Sequence, residues 1–551
     1  MIQLLNAGQI TISSLTRWMA MEAVPEADGV EDRCTVESLQ PALEAIAGAR
    51  VVSATVNRTG VFDAPPLSYD LPPEMPSPPT QQFLDLPAFC DVHVDLTGPY
   101  GHVAHLVIWV PLAWNGRFLG TTGGGNRTTP AWADFPFARS ITPIIALRNG
   151  FATAATDGAN HDRRMADWGL DDDGKLDLEL VRNWVDRSTH EMTRVGKAIT
   201  EALHGTLPRY SYLQGCSGGG RQAMASAQLH PEDYDGIWSS DPAINWTRTM
   251  TASLWPAVVM NETGNPLAPA KLDAFRAAAI EANDGVDGLK DGIIGAFDPC
   301  NYDPHKLVGI ETDAGEITAA DAEVMRRIWE GPRRANGSTL WSAPRPCVRT
   351  STAVMMCATR EVDGKLEPVP LVWAPALFRW TVGDPNFDWK TMTVERFLEL
   401  SDRAIEQFSW VDSNATELSR FRDHGAKLIL SQAADDEILM YQPTVDYFRG
   451  VIDAMGGEET TSSFARLFVT DGDVHGLIMG PGPGLTIAET MAALMRWVEK
   501  GEAPECMIAQ RMDPATMSVV ARRPVYPYPV ITRYSGHGDA ADAESYIGAT
   551  R

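Results

Sequence analysis

The feature that most constrains the fold of this chain is the glycine-rich run Gly215–Gly219, with the sequence GCSGG, between a predicted strand and a predicted helix. The apolar and aromatic residues of Tyr210–Gly215 favour a strand, and Gly218–Leu229 favours a helix. The pattern G-x-S-x-G at such a turn exposes a serine, here Ser217, where a base can activate its hydroxyl. The helix points its free N–H groups toward a developing oxyanion. The alternative is a glycine-rich turn with an incidental serine.

Several other apolar runs bounded by glycine alternate with amphipathic segments in the same way. Such alternation predicts a mainly parallel sheet flanked by helices, an α/β fold. The further predicted strands are His105–Pro111, Arg117–Gly120, Gly150–Thr156, Lys427–Ser431 and Arg466–Thr470.

The length of 551 residues predicts more than one ordinary domain. Residues 246–405 differ in pattern from the rest, with a helical Leu267–Asn283, an Asp/Gly-rich loop, a helical Ala319–Glu330 and a Pro/Trp-rich tail. We therefore predict an α/β domain formed by residues 1–245 and 406–551, with residues 246–405 inserted as a lid.

The formal net charge of −26 disfavours nucleic acid and anionic membrane surfaces as partners, because both carry negative charge. A neutral or cationic small molecule is the expected partner, and the oligomeric state stays open. No apolar run is long enough for a membrane span. The N-terminal segment has no basic residue before Arg17 and no clean apolar stretch. We expect a cytoplasmic protein, or a secreted or periplasmic one if a leader has been removed.

A nucleophilic serine in this setting requires an acid and then a histidine later in the chain. His475 follows a predicted strand and begins a glycine- and proline-rich loop, which suits a general base better than the positions of His424 or His537. For the acid, the strand Lys427–Ser431 leads to Asp435 and Asp436, and a carboxylate there can orient the imidazole. The residues alone do not choose between these two aspartates.

These motifs together resemble the tannase and feruloyl esterase family of α/β-hydrolases, which also contains mono(2-hydroxyethyl) terephthalate hydrolase. The resemblance runs from about Cys34 to Tyr546. Its landmarks are Leu86–Cys90, Trp114–Leu119, Gly123–Gly125, Gly150–Asp157, Tyr212–Gly219, Pro231–Ile237 and Arg523–Pro529.

The resemblance implies a carboxylic ester hydrolase for esters of aromatic acids, with Ser217 as nucleophile and His475 as general base. The family places its acid at a fixed distance before a Tyr-Tyr pair, here Tyr447-Phe448, and this spacing selects Asp436. An acyltransferase or a hydrolase of another bond on the same fold remains an alternative, as does a non-catalytic binding protein.

The oxyanion donors implied by the resemblance are the backbone N–H of Gly218 and one from the loop Gly123–Gly125, for which we take Gly124. Three tryptophans of the predicted lid can pack either in its core or against an aromatic acyl group. These are Trp373, Trp380 and Trp389.

A run from Asp284 to Ile293 in the predicted lid combines three carboxylates with three glycines. Oxygen-rich loops of this kind suit calcium, although the spacing is not that of an EF-hand and an acidic turn is equally compatible. The family carries a structural calcium at a matching run, which implies the side chains of Asp284, Asp287 and Asp291 and the carbonyls of Leu289 and Ile293 as ligands.

The chain departs from the family at its cysteines. Most members join a cysteine before the nucleophile to one directly after the histidine, but here Cys216 has Gly476 as its counterpart and that link cannot form. Cys300 also lacks its usual partner. The pairs that remain possible are Cys34 with Cys90 and Cys347 with Cys357.

Overall fold

The computed structural model describes residues 9–10, 16–18, 24–71, 81–129, 132, 138–351, 356–513, 515–516 and 518–550. Its centre is a nine-stranded sheet in the order β1-β2-β3-β5-β4-β6-β7-β8-β9. These strands are β1 (Ala49–Asn57), β2 (Phe89–Thr97), β3 (Val103–Pro111), β4 (Arg117–Gly120), β5 (Ala152–Thr156), β6 (Tyr210–Cys216), β7 (Gly236–Ser240), β8 (Lys427–Ala433) and β9 (Ala465–Thr470).

Strands β4 to β9 are parallel to one another, whereas β1, β2 and β3 form antiparallel pairs at one edge of the sheet, where β3 also pairs antiparallel with β5. The mainly parallel sheet is therefore confirmed. Six of the nine strands lie where the sequence predicts them, with ends that differ by one or two residues. Strands β1, β2 and β7 have no counterpart in the prediction.

Nine helices of ten or more residues lie in the described part of the chain. They are α1 (Ser188–His204), α2 (Gly218–Leu229), α3 (Trp246–Thr263), α4 (Pro269–Asn283), α5 (Ala319–Glu330), α6 (Trp373–Val382), α7 (Val394–Phe408), α8 (Tyr441–Ala454) and α9 (Ile487–Lys500). Shorter α-helices span Val30–Arg33, Val36–Leu39, Pro143–Arg148, Leu178–Arg182, Ser419–Asp423 and Glu458–Ser462. None of the helices described is both long and apolar enough to cross a lipid bilayer.

Neighbouring residues on the central strands bury opposite faces of the sheet, as the pleat requires. Leu213 and Ile237 belong to the hydrophobic core that includes residues of α1 and α2, whereas the adjacent Tyr212 and Trp238 belong to the core that contains α9. Because both faces are covered, the ends of the parallel strands are the part of the sheet left to carry a site.

The chain leaves the central sheet after β7 and returns to it only at β8. The intervening helices α3 to α7 share a separate hydrophobic core, to which Leu254, Phe275, Met325, Phe378 and Phe397 contribute. Two small hairpins lie in the same segment, Glu311–Thr312 with Gly315–Glu316 and Thr359–Val362 with Lys365–Pro368. The exact limits 246–405, and a role of this insertion as a lid, stay predictions.

The C-terminal part adds two antiparallel pairs outside the central sheet. These are Met507–Asp513 with Ser518–Val525 and Val530–Tyr534 with Tyr546–Thr550. Near the N-terminus, Gln9–Ile10, Phe62–Asp63 and Gln82–Phe83 form a three-stranded sheet.

Candidate active site

Ser217 occupies the sharp turn between β6 and α2, with φ 62° and ψ −123°. A non-glycine residue rarely adopts this conformation, and such strain is concentrated at functional sites. The neighbouring glycines are required by close backbone approach, because a Cβ on Gly215 would collide with the carbonyl oxygen of Gly219 and one on Gly218 with that of Gly125. The local sequence therefore forces the serine out of the regular strand and helix.

His475 and Asp436 meet at the carboxyl ends of β8 and β9. The Nδ1 atom of His475 lies 2.7 Å from Oδ2 of Asp436. The other carboxylate oxygen of Asp436 accepts the backbone N–H groups of Ile438 at 2.9 Å and Leu439 at 2.7 Å. This carboxylate is buried and held by backbone hydrogen bonds, so it can orient the imidazole through Nδ1.

Asp435 points away from the histidine, although it is also buried. Its Oδ1 accepts the thiol of Cys347 at 3.8 Å and lies 3.7 Å from Nη1 of Arg345. Burial raises the pKa of Asp435 to about 6. The fold thus separates the two aspartates that the residue pattern alone left open, and it brings Asp436 to His475.

The charge around His475 is strongly negative. Burial by itself lowers the pKa of His475, but the charge and hydrogen bond of Asp436 raise it, and Asp241 and Glu437 raise it further, so that the pKa lies above its usual 6.5. The backbone N–H of His475 donates to Oε2 of Glu437 at 3.0 Å. Burial and the charge of Asp436 raise the pKa of Glu437 to about 7.

The loop after β4 faces the start of helix α2, where an oxyanion would form. The N–H of Gly123 donates to Oε1 of Gln222 at 3.3 Å, which removes it as an oxyanion donor. Gly124 is exposed, and a Cβ placed on it would meet no atom within 4 Å. This open position at the helix N-terminus suits the predicted donor pair of Gly124 and Gly218.

Sequence reasoning did not single out Glu437, Asp241 or Arg139, all of which lie at this site. Glu437 belongs to the predicted acidic turn and therefore had a local signal. Asp241 follows the unpredicted strand β7, and Arg139 lies far from the motifs in the chain, so only the tertiary structure places them here.

The run Asp284–Ile293, predicted to bind calcium, forms a tight loop directly after α4. The carboxylate of Asp284 accepts the N–H groups of Asp291 at 3.3 Å and Gly292 at 3.2 Å. The Oδ2 atom of Asp291 accepts from Nη2 of Arg523 at 2.8 Å. Burial raises the pKa of Asp287, and the charge of Asp291 raises it further. In the described part of the chain, three groups of histidine and aspartate side chains have possible metal-ligand atoms that all lie within 4.8 Å of one another. None of the three groups includes these aspartates.

Two of the three groups with closely spaced possible metal ligands lie away from the site, and each contains a pair of stacked histidines. The rings of His190 and His230 are 4.0 Å apart with an interplanar angle of 12°, and those of His105 and His161 are 4.8 Å apart at 14°. Lone pairs in nearly parallel ring planes cannot converge on one ion, so neither stacked pair can act as a two-histidine metal site in this conformation.

Of the two cysteine pairs that the sequence left possible, one forms and the other does not. Cys34 and Cys90 form a disulfide with a Cα–Cα distance of 6.1 Å. The other pair left possible, Cys347 with Cys357, does not form, because both thiols are free. Cys347 packs with Cys300 in one small cluster, whereas Cys357 is buried in the core of the insertion, so the two side chains belong to different packing environments.

Comparison with known proteins identifies the family of the chain. The family model of tannase and feruloyl esterase matches residues 99–549. A probable feruloyl esterase of Arthroderma benhamiae is 35% identical over 522 residues, with 92% of each chain covered. Mono(2-hydroxyethyl) terephthalate hydrolase of Piscinibacter sakaiensis is 29% identical over 534 residues, which covers 84% of this chain and 85% of that protein.

The crystal structure of feruloyl esterase B from Aspergillus oryzae has the same fold. Its TM-score is 0.75 at 24% identity, and the match covers 94% of this chain and 100% of that chain. Family, sequence relatives and fold agree over nearly the whole length. The chain therefore belongs to the tannase and feruloyl esterase family and is a carboxylic ester hydrolase.

Proposed function

We propose that this protein hydrolyses esters of phenolic or related aromatic acids through a covalent acyl-enzyme, with Ser217, His475 and Asp436 as its catalytic residues. The observation that carries the proposal is the 2.7 Å contact between His475 Nδ1 and Asp436 Oδ2, next to a serine held at a strained strand-to-helix turn. A histidine oriented by a buried carboxylate, close in the fold to a serine at such a turn, supports acyl transfer by that serine.

In the first half-reaction, the Ser217 hydroxyl oxygen attacks the ester carbonyl carbon while His475 Nε2 takes the hydroxyl proton. The carbonyl oxygen becomes an oxyanion and accepts hydrogen bonds from the backbone N–H groups of Gly218 and Gly124. The C–O bond to the alcohol then breaks, and His475 returns the proton to the leaving alkoxide. Asp436 stabilises the imidazolium in between.

In the second half-reaction, water replaces the alcohol. His475 takes a proton from water as the water oxygen attacks the acyl carbon, and the same oxyanion donors stabilise the new tetrahedral intermediate. The bond to Ser217 breaks, the serine oxygen regains its proton from His475, and the free acid leaves.

A tryptophan ring lies beside the loop Gly123–Gly125, and this position favours a substrate with an aromatic acyl group. Trp373, the first residue of α6, lies directly against Gly125, since a Cβ on Gly125 would be 2.5 Å from a ring carbon of Trp373. Aromatic groups gain from packing on such a ring beyond their burial alone. The relatives named as feruloyl esterase and mono(2-hydroxyethyl) terephthalate hydrolase support the same substrate class.

Calcium bound by the loop of the insertion is a further part of the proposal. Asp284, Asp287 and Asp291, with the carbonyls of Leu289 and Ile293, supply only oxygen donors, which is the chemistry that calcium prefers. The Oδ2 atom of Asp291 pairs with Nη2 of Arg523 at 2.8 Å, so calcium at Asp291 would share or displace this contact. The ion would fix the loop and would take no part in the ester chemistry.

The cytoplasmic location stays a prediction. The disulfide between Cys34 and Cys90 is of a kind that persists mainly in oxidising compartments, and it favours a secreted or periplasmic protein instead. Fractionation of the native host, followed by an activity assay of each fraction, distinguishes the two locations.

A fluorophosphonate probe tests the catalytic assignment. We expect it to label the protein once per chain and to fail on Ser217→Ala, which should also lose ester hydrolysis. A screen of methyl ferulate, methyl gallate and a terephthalate monoester then identifies the acyl group. Addition of an alcohol acceptor distinguishes hydrolysis from acyl transfer, since an acyltransferase would form the new ester in preference to the free acid.

A further inference from the structure

Asp241 is a buried carboxylate that contacts the chain next to all three proposed catalytic residues. Its Oδ2 accepts the N–H of Gly476, the residue after His475, at 3.0 Å. The same oxygen accepts the thiol of Cys216, the residue before Ser217, at 3.9 Å. Its Oδ1 accepts the N–H of Ala433, three residues before Asp436, at 2.8 Å. One side chain with no solvent exposure thus contacts the ends of β6 and β8 and the loop that carries His475.

The backbone of Asp241 is held in an uncommon conformation, with φ 40°. Aspartate and asparagine tolerate this left-handed region better than other residues that carry a side chain. The N–H of Asp241 donates to the carbonyl of Ser431 on β8 at 2.8 Å, and the N–H of Ser217 donates to the carbonyl of Ser240 at 3.0 Å. The turn after β7 is therefore bonded to the nucleophile turn and to the acid strand at once.

Arg139 extends this network to the far side of the histidine loop. Its Nη1 lies 2.6 Å from Oδ2 of Asp473, and its Nε lies 3.5 Å from Oδ2 of Asp241. Its Nη2 donates to the carbonyls of Val474 at 2.5 Å and Leu477 at 3.0 Å, on both sides of His475. One buried guanidinium faces two buried carboxylates, so the network keeps a net negative charge beside the imidazole.

The contacts of Asp241 lie where a disulfide is absent. The Sγ atom of Cys216 is 3.2 Å from the position that a Cβ on Gly476 would take, and this is close to the distance across a disulfide from one Cβ to the opposite sulfur. Gly476 offers no second thiol. The two loops are therefore adjacent without a covalent bond between them, and Asp241 hydrogen-bonds to both.

We propose that Asp241 is a positioning residue for ester hydrolysis, which replaces a covalent link between the nucleophile and histidine loops by hydrogen bonds from one buried carboxylate. It also adds negative charge beside the imidazole. This inference rests on the proposed catalytic roles of Ser217, His475 and Asp436.

The variant Asp241→Asn tests the proposal, since asparagine keeps the shape and tolerates the backbone conformation. We expect kcat to fall between about tenfold and a hundredfold, because small displacements of reacting groups have effects of this size. KM should change less than about twofold, since Asp241 does not line the open face of the site.

The pH profile separates positioning from general stability. The charged groups that face His475 are Asp436, Glu437 and Asp241, with Arg139 and Asp473 behind Asp241. Loss of the Asp241 charge should lower the pKa of His475. The acid limb of the kcat/KM profile, where activity rises with pH as His475 loses its proton, should therefore shift to lower pH. The control Asp321→Asn removes a buried carboxylate paired with Lys271 in the insertion, and it should lower stability without this shift.

A disulfide introduced between the two loops tests whether a covalent link compensates for the loss of the Asp241 carboxylate. Position 476 has φ 63°, which strains any side chain there, so the reduced double variant Asp241→Asn, Gly476→Cys is the reference. Oxidation should join Cys216 to the new cysteine and raise kcat at least about threefold over this reference, and dithiothreitol should reverse the gain. The acid limb should stay shifted, because the disulfide does not restore the charge. If Asp241→Asn alone does not fold, the oxidised double variant carries the test through its acid limb.

The proposal would be overturned if Asp241→Asn and Asp321→Asn lost the same fraction of kcat and both kept the wild-type pH profile. It would also be overturned if the oxidised double variant folded and had the acid limb of the wild type. Ser217→Ala keeps this result separate from the catalytic assignment. If Ser217→Ala retains hydrolysis, the proposed triad fails. If it is inactive while Asp241→Asn behaves as wild type, only the role of Asp241 fails.

Discussion

Asp436 holds Nδ1 of His475 at 2.7 Å, while its neighbour Asp435 turns to the other side and faces Arg345. Asp436→Asn should therefore favour the wrong imidazole tautomer and lower kcat by about 10³- to 10⁴-fold. Asp435→Asn is the matched control, and we expect its kcat to stay within about fivefold of wild type, since Asp435 does not contact the histidine. Steady-state kinetics of both variants provide the check, and an equal loss in both would contradict the assignment.

Trp373 should set preference for aromatic acyl groups through its contact with Gly125. Trp373→Ala should lower kcat/KM for a ferulate ester by about two- to tenfold more than for a short aliphatic ester, because an aromatic pair contributes about 0.5–1.5 kcal/mol. Trp389 is buried in the core of the insertion and offers the control. Trp389→Ala should lower stability and reduce activity on both esters alike. A selectivity ratio unchanged in Trp373→Ala would remove this residue from the substrate site.

The calcium prediction concerns stability. Calcium at about 100 times its Kd should add about 2.7 kcal/mol to the free energy of unfolding and raise Tm, because it binds the folded state. Thermal unfolding with calcium and with a chelator measures the difference. Asp287→Asn should abolish it, whereas Asp303→Asn, which changes an exposed carboxylate at a short helix nearby in the chain, should leave it intact. An identical Tm in both buffers would refute a calcium site.

The pH dependence of kcat/KM should reflect the negative surroundings of His475. A general base acts only when it is deprotonated, and the pKa of His475 is raised above 6.5 by Asp436, Asp241 and Glu437 against the effect of burial. Activity should therefore rise with pH through an acid limb that lies above pH 6.5. Glu437→Gln should move this limb to lower pH, because it removes one of the three charges. A limb centred below pH 6 in the wild type would contradict this electrostatic account.

The sequence by itself determined the fold class and the sharp strand-to-helix turn at Ser217. The run Gly215–Gly219 and the alternation of apolar strands with helices are local patterns, set by backbone geometry and periodicity, and they specify a parallel sheet with Ser217 at a strand end. The residue pattern also singled out His475 and the run Asp284–Ile293, whereas the family resemblance selected Asp436 over Asp435 by its spacing and implied calcium as the ligand of the run.

Only the tertiary structure decided which distant groups meet at that turn. Strand β7 had no clear periodic signal, so Asp241 at its end was missed, and Arg139 reaches the histidine loop from a segment more than 300 residues away in the chain. The sequence left a pair of Cys347 with Cys357 open for the same reason, and this pair does not form. Burial, ion pairing and thiol contacts depend on side chains brought together by packing, and sequence distance carries no information about those contacts.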